Sequence, residues 1–282
     1  MTAANRFDTR PRITVPDGAC DTHMHVYDDR FPPSERAYLF PPNHLVPDYR
    51  KMQARLGLSR CIVVQPVTYG YDNRCTLEAV AEMGDAARAV VTVPVDISDA
   101  DLDALWRQGA RGLRYHQMKG SMTTWDDLRR TSARIAGTDW HVQVQLDGMD
   151  LPQHEALIAG LPSQVVIDHF GRFSGAVTPD HPAVQALLRL AARPNVWVKL
   201  SGAYHVSRLG KPDYADAAPI ARALVAQSTE RLLWGSDWPH PTEDDETMPD
   251  DARLIDLLAD WTQTEAQRHA ILVDNPARLY GF

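Results

Sequence analysis

Eight short runs of apolar and β-branched residues recur along the chain. They are 19–26 (ACDTHMHV), 60–67 (RCIVVQPV), 88–95 (RAVVTVPV), 112–116 (GLRYH), 141–147 (HVQVQLD), 165–170 (VVIDHF), 196–202 (VWVKLSG) and 232–237 (LLWGSD). Their length and their Val and Ile content predict buried strands. Between them, 47–58, 73–85, 99–110, 181–193 and 214–228 place apolar residues at spacings of three and four, which predicts helices. Asn73 and Asp99 stand where N-caps are expected, and Gly57 and Gly109 where helices should end. Strands alternating with helices pair in parallel. Eight such units predict an α/β fold, a closed (β/α)8 TIM barrel, with an open doubly wound sheet as the alternative.

Loop lengths add a direction. Segments entering strands are short, as at 58–60, 84–87, 193–195 and 228–231, whereas those leaving strands are long, as at 27–46, 117–126, 203–213 and 238–250. In a barrel the long loops share the C-terminal mouth, where active sites lie.

Composition narrows the function. The 282 residues are 44% hydrophobic and 23% charged, which fits one globular unit: a leading arm over 1–18 and a barrel over 19–282. A net charge of −8 with no Lys/Arg run argues against nucleic acid as a partner. No apolar run reaches the roughly 18 residues of a membrane span, and the N-terminus lacks a signal-peptide core. Cys20, Cys61 and Cys75 are odd in number and scattered, so they read as reduced thiols of a cytoplasmic protein.

Polar side chains close the apolar runs. The first carries His23 and His25, the fourth Arg114 and His116, and the fifth Gln145 and Asp147. The sixth ends on Asp168, His169 and Arg172, the seventh on Lys199 and Ser201, and the eighth on Ser236, Asp237 and His240. A charge at the end of a buried strand is costly unless it is paired or used. Each has a structural explanation: a strand-end histidine often serves packing, Asp237 can cap a helix, and Arg114 and Lys199 can pair with carboxylates. Their joint occurrence is harder to dismiss, because in a barrel all of them meet at one mouth. Strand alternation would also put His23 and His25 on one face, with Asp21 below them. The loop aromatics Trp125, Trp238, Tyr69, Tyr71 and Tyr204 are candidates for an apolar wall there.

GACDTHMHVYD, VVQPVTYGYDN, GARGLRYH, VIDHFGRF, VWVKLSG, LLWGSDWPHP and VDNPARLYGF span nearly the whole chain. Together they resemble the amidohydrolase superfamily, in its branch of sugar-acid and dicarboxylate lactonases and lactone isomerases. That resemblance implies a distorted barrel of the amidohydrolase type and a hydrolase, a lactonase of carboxylated lactones. It also implies a catalytic group of His23, His25, His169 and Asp237, with Asp237 as the base that activates water. Arg114 would hold a substrate carboxylate near Tyr38, helped by Arg172 or Lys119. Gln145, His205 and His240 complete the expected substrate contacts. Relative to the dicarboxylate lactonases, Gly120 and His205 replace arginines and Gln145 replaces a tyrosine. The sugar-lactone isomerases share Gln145 but carry amides where this chain has His23 and Asp237. Hydrolysis is therefore the expectation, with a lactone isomerase or a carboxylate-binding barrel without turnover as alternatives.

His23, His25 and Asp237 are suitable ligands for a single zinc. The lysine and histidine that complete a two-metal centre elsewhere in the superfamily correspond here to Arg114 and Gln145, and a guanidinium repels a cation. The expectation is a metal-free site without cofactor, with one zinc as the alternative.

Overall fold

A computed structural model describes residues 9–282, so residues 1–8 of the expected arm lie outside the described residues. Eight parallel strands follow in sequence order: β1 (Cys20–Met24), β2 (Arg60–Val64), β3 (Ala87–Val91), β4 (Ala110–His116), β5 (His141–Gln145), β6 (Gln164–Ile167), β7 (Val196–Ser201) and β8 (Leu232–Gly235). The barrel closes between β8 and β1. Thr22 Oγ1 donates to Trp234 O at 2.8 Å, Asp237 N to His23 O at 2.8 Å, and His25 N to Trp238 O at 2.8 Å. Gly235 permits that approach, since a Cβ there would lie 2.7 Å from the His23 Cβ. The fold is a (β/α)8 barrel, and the open-sheet alternative is set aside.

Helices fill the crossovers: α1 (Val46–Leu56), α2 (Arg74–Met83), α3 (Asp99–Arg107), α6 (Pro182–Ala191) and α7 (Ala218–Ser228) fall where the periodicity predicts them, α4 (Trp125–Arg134), α5 (Leu151–Ala159) and α8 (Asp251–Trp261) join them, and two short helices follow. Gly57 ends α1 in a left-handed conformation, as expected. Two caps differ. Ser98, not Asp99, caps α3 by accepting from Asp101 N, and the Asn73 side chain serves Thr92 just past β3 rather than α2. Within the described part of the arm, Arg12 N and Ile13 N both donate to Asp256 Oδ1 on α8.

Residues alternate between two apolar layers. Cys61, Val63, Ala89, Val165 and Leu232 face the helices, whereas Ile62, Val64, Val90, Val166 and Leu233 join Cys20, Leu279 and Tyr280 in the barrel interior. Cys20, Cys61 and Cys75 are buried and unpaired. Among the described residues no helix is long and apolar enough to cross a membrane.

Candidate active site

Asp237 follows β8 with φ 64°, and His169, just past β6, has φ 50°. Such backbone costs energy in a non-glycine residue and turns the side chain off the strand direction, here into the mouth. His23 and His25 stand edge to face, with ring centroids 4.9 Å apart. Three imidazole nitrogens surround one carboxylate oxygen. Asp237 Oδ1 lies 3.4 Å from His25 Nε2, 3.7 Å from His23 Nε2 and 3.9 Å from His169 Nε2. Asp237 Oδ2 accepts from Tyr204 OH at 2.6 Å and lies 3.2 Å from His205 Nε2.

Second partners constrain these rings. His25 Nδ1 is 2.7 Å from Val64 O, and a carbonyl only accepts, so this nitrogen carries a proton. His169 Nδ1 meets Ser201 Oγ at 2.9 Å. His205 Nε2 lies between the Arg172 guanidinium at 3.0 Å, which can only donate, and the Asp237 carboxylate at 3.2 Å, which can only accept, so its tautomer decides which contact is a hydrogen bond. Beneath His23 lies a fully buried polar layer of Lys199, Gln143 and Asp168. Burial, followed by the charge of Lys199, lowers His23 to about 3, and burial also lowers His169, so both rings are neutral near pH 7. Burial would raise Asp237, but His169 and the contacts from His205 and His25 outweigh it and hold this carboxyl below its usual range.

Arg114 supplies positive charge at the pocket. Its Nη1 donates to Gln65 O and its Nη2 to Gln145 Oε1 at 2.6 Å, while Nε has no partner among the described residues. Tyr38, Gln145, Arg172 and His205 line the same pocket, with His116, Tyr27 and Pro66. A wider cavity of about 670 Å³ lies at another face, lined by Trp106, Arg111, Asp139, Glu230, Arg231 and Arg278, and contains none of the strand-end histidines or Asp237.

Several expected placements differ. His240 is turned away from the pocket: its Nδ1 meets Tyr204 OH at 3.1 Å and its Nε2 meets Asp251 Oδ1 at 2.9 Å. Its φ of 63°, just past the turn that aims Asp237 inward, accounts for the reversal. Lys119 lies over the Tyr38 ring at 5.2 Å. Asp21 is not below the histidines. It accepts from Ser236 N, Ser236 Oγ and Tyr49 OH at the β1–β8 closure, because the β1–β2 register shifts between Asp21 and Met24. Of the loop aromatics, Trp125 stacks on His154, Trp238 packs edge-on to His44 and Tyr49, Tyr71 bonds Met122 O and Tyr69 bonds Asp28. Only Tyr204 reaches Asp237, and its place in a loop carries no signal of that contact.

Among the described residues, three groups of side chains hold their ligand atoms within 4.8 Å of one another and can by distance bind a metal: His23, His25 and Asp237; His23, Asp168 and His169; His169, His205 and Asp237. In each group one donor already faces a protein cation. Lys199 Nζ lies 3.3 Å from His23 Nδ1, and Arg172 lies 3.0 Å from His205 Nε2.

The amidohydrolase family model matches residues 20–282. D-galactarolactone isomerase of Agrobacterium fabrum is 38% identical over 275 residues, 96% of this chain and 94% of that one. A 2-pyrone-4,6-dicarboxylate hydrolase of Comamonas testosteroni is 35% identical over 284 residues, 96% of this chain and 93% of that one. A ligand-free crystal structure from Agrobacterium tumefaciens superposes with a TM-score of 0.91 at 37% identity, covering 97% of both chains. This protein therefore belongs to the amidohydrolase family.

Proposed function

We propose that the protein is a hydrolase that opens the lactone ring of a carboxylated small molecule. The observation that carries this reading is the gathering of three imidazole nitrogens around the buried Asp237 carboxylate, beside the partly unpaired guanidinium of Arg114. Asp237 takes a proton from water as the water oxygen bonds to the lactone carbonyl carbon. Imidazole N–H groups receive the oxyanion that forms. The ring C–O bond then breaks, Asp237 returns its proton to the departing ring oxygen, and the product is a hydroxy acid that ionises at neutral pH. Arg114, with Arg172, holds the substrate carboxylate and so orients the ring.

Among the described residues, only these two guanidinium groups line the pocket, beside Gln145, His116, His205 and Tyr38. That lining suits one carboxylate and several hydroxyls, and so favours a sugar-acid lactone over a flat dicarboxylate. The three free, buried cysteines accord with a cytoplasmic setting.

The donor sets do not suit a resident divalent ion. Where a metal-bound histidine normally donates its second N–H to an acceptor, His23 faces an ammonium. His25, whose Nδ1 donates to Val64 O, has the arrangement a metal ligand needs, but His23 beside it does not. The 38% identity to an isomerase favours a second reading, movement of the ring between hydroxyls. A panel of carboxylated lactones, followed by proton release with and without chelator, tests the proposal. We expect proton release that survives chelation. Tight carboxylate binding without turnover would reduce the protein to a binding barrel, and loss of activity restored by zinc would overturn the metal-free assignment.

A further inference from the structure

We propose that Lys199 is a positioning residue: it fixes the tautomer of His23 and thereby closes the His23–His25–Asp237 set to divalent metal ions. The use of the resulting donor in catalysis rests on the lactonase reading; the tautomer itself does not.

Lys199 lies on β7 and is fully buried. An ammonium has three N–H donors and no acceptor. Three acceptors surround it: Thr22 O at 2.7 Å, Gln143 Oε1 at 2.8 Å and His23 Nδ1 at 3.3 Å. The orientation of the Gln143 amide is set independently, because its Nε2 donates to Asp168 Oδ2 at 3.1 Å, leaving Oε1 for the lysine. Asp168 Oδ1, 3.7 Å from Nζ, balances the charge. With the third ammonium hydrogen directed at it, His23 Nδ1 must accept. The neutral ring therefore carries its proton on Nε2.

The opposite tautomer is disfavoured. A proton on Nδ1 would face an ammonium hydrogen and leave a lysine donor unpaired in a solvent-free layer. Asp168 Oδ1, 3.3 Å from Nδ1, is the acceptor that tautomer would use, yet it has no aligned hydrogen-bond partner among the described residues. Metal ligation by His23 Nε2 requires that disfavoured tautomer. Lysine donation gives the reverse: an N–H directed toward the Asp237 carboxylate, with no partner among the described residues and open to a substrate carbonyl.

Nitrogen NMR of the full-length enzyme with labelled histidine, together with zinc titration, tests this on the wild type and on Lys199→Met, a substitution of similar length. In the wild type we expect His23 protonated on Nε2 and no stoichiometric zinc. In Lys199→Met the proton moves to Nδ1, facing Asp168, and zinc affinity rises by about tenfold or more, the scale of effects from groups that support metal ligands. A wild-type proton on Nδ1 would overturn the assignment without any variant, so the test survives a variant that fails to fold. A variant that keeps the proton on Nε2 would overturn it equally. The predicted tautomers together with no turnover of any lactone would sink the lactonase reading and leave the role of Lys199 standing.

Discussion

At the residue scale, Asp237 and Arg114 have distinct tasks in the proposed reaction. Asp237→Asn should lower kcat by about 10²–10⁴-fold, the usual contribution of a general base. Asparagine tolerates the left-handed backbone at 237, so the melting temperature should change little. A near-normal rate would remove Asp237 from the role of base. Arg114→Met should raise KM for a carboxylated lactone by about 10–100-fold, the worth of charge-assisted hydrogen bonds. KM for an uncharged lactone of the same ring size should hold, and an equal rise for both would place Arg114 in scaffolding. His23, His25 and Asp237 were legible in the sequence because two rings one residue apart on a strand, and an acid closing another, require only the barrel to meet. His240 was not, because the positive φ at 237 and 240 reverses the direction in which the chain presents side chains. The task of Lys199 depends on Thr22 and Gln143, which only the assembled barrel brings to it.

At the scale of elements, the turns leaving the strands set the geometry. Gly202 follows β7 at φ 59°, and a Cβ there would stand 2.7 Å from His205 Cδ2 and 3.1 Å from His169 Nδ1. Gly202→Ala should therefore displace both rings and lower kcat by about 100-fold, the cost of a misplacement near 1 Å. Circular dichroism should still report the barrel, and full activity would show that the turn yields without moving the site. Element types were largely readable: all eight strands fall within or against the apolar runs. Two features escaped. The β1 irregularity rotates Asp21 outward, which no alternating pattern reveals. The helices α4, α5 and α8 lie outside the five segments whose apolar spacing predicts helices, and their starts are fixed by local caps at Thr124 and Asp250 and by the proline near the start of α5.

At the scale of the whole molecule, the buried histidines predict sensitivity to acid. Burial lowers His23, His116 and His141 from 6.5 to about 3 each, and His169 is lowered as well. The unfolded chain takes up these protons near pH 6.5 and the folded chain does not, so stability falls as pH drops from 6.5 toward 3. Each group contributes up to about 1.4 kcal/mol per pH unit. Asp21, raised to about 6 by burial, works in the opposite direction, but it is a single group. The denaturant midpoint should fall steadily between pH 6.5 and 4, and a flat profile would contradict neutral burial of these rings. The central claim is that Asp237 directs solvent oxygen onto a lactone carbonyl. Turnover of a carboxylated lactone in heavy-oxygen water, read by mass spectrometry, tests it most directly. We predict one solvent oxygen in the new carboxylate of a ring-opened product, and almost none formed by Asp237→Asn. A rearranged lactone carrying no label would contradict the claim and identify an isomerase.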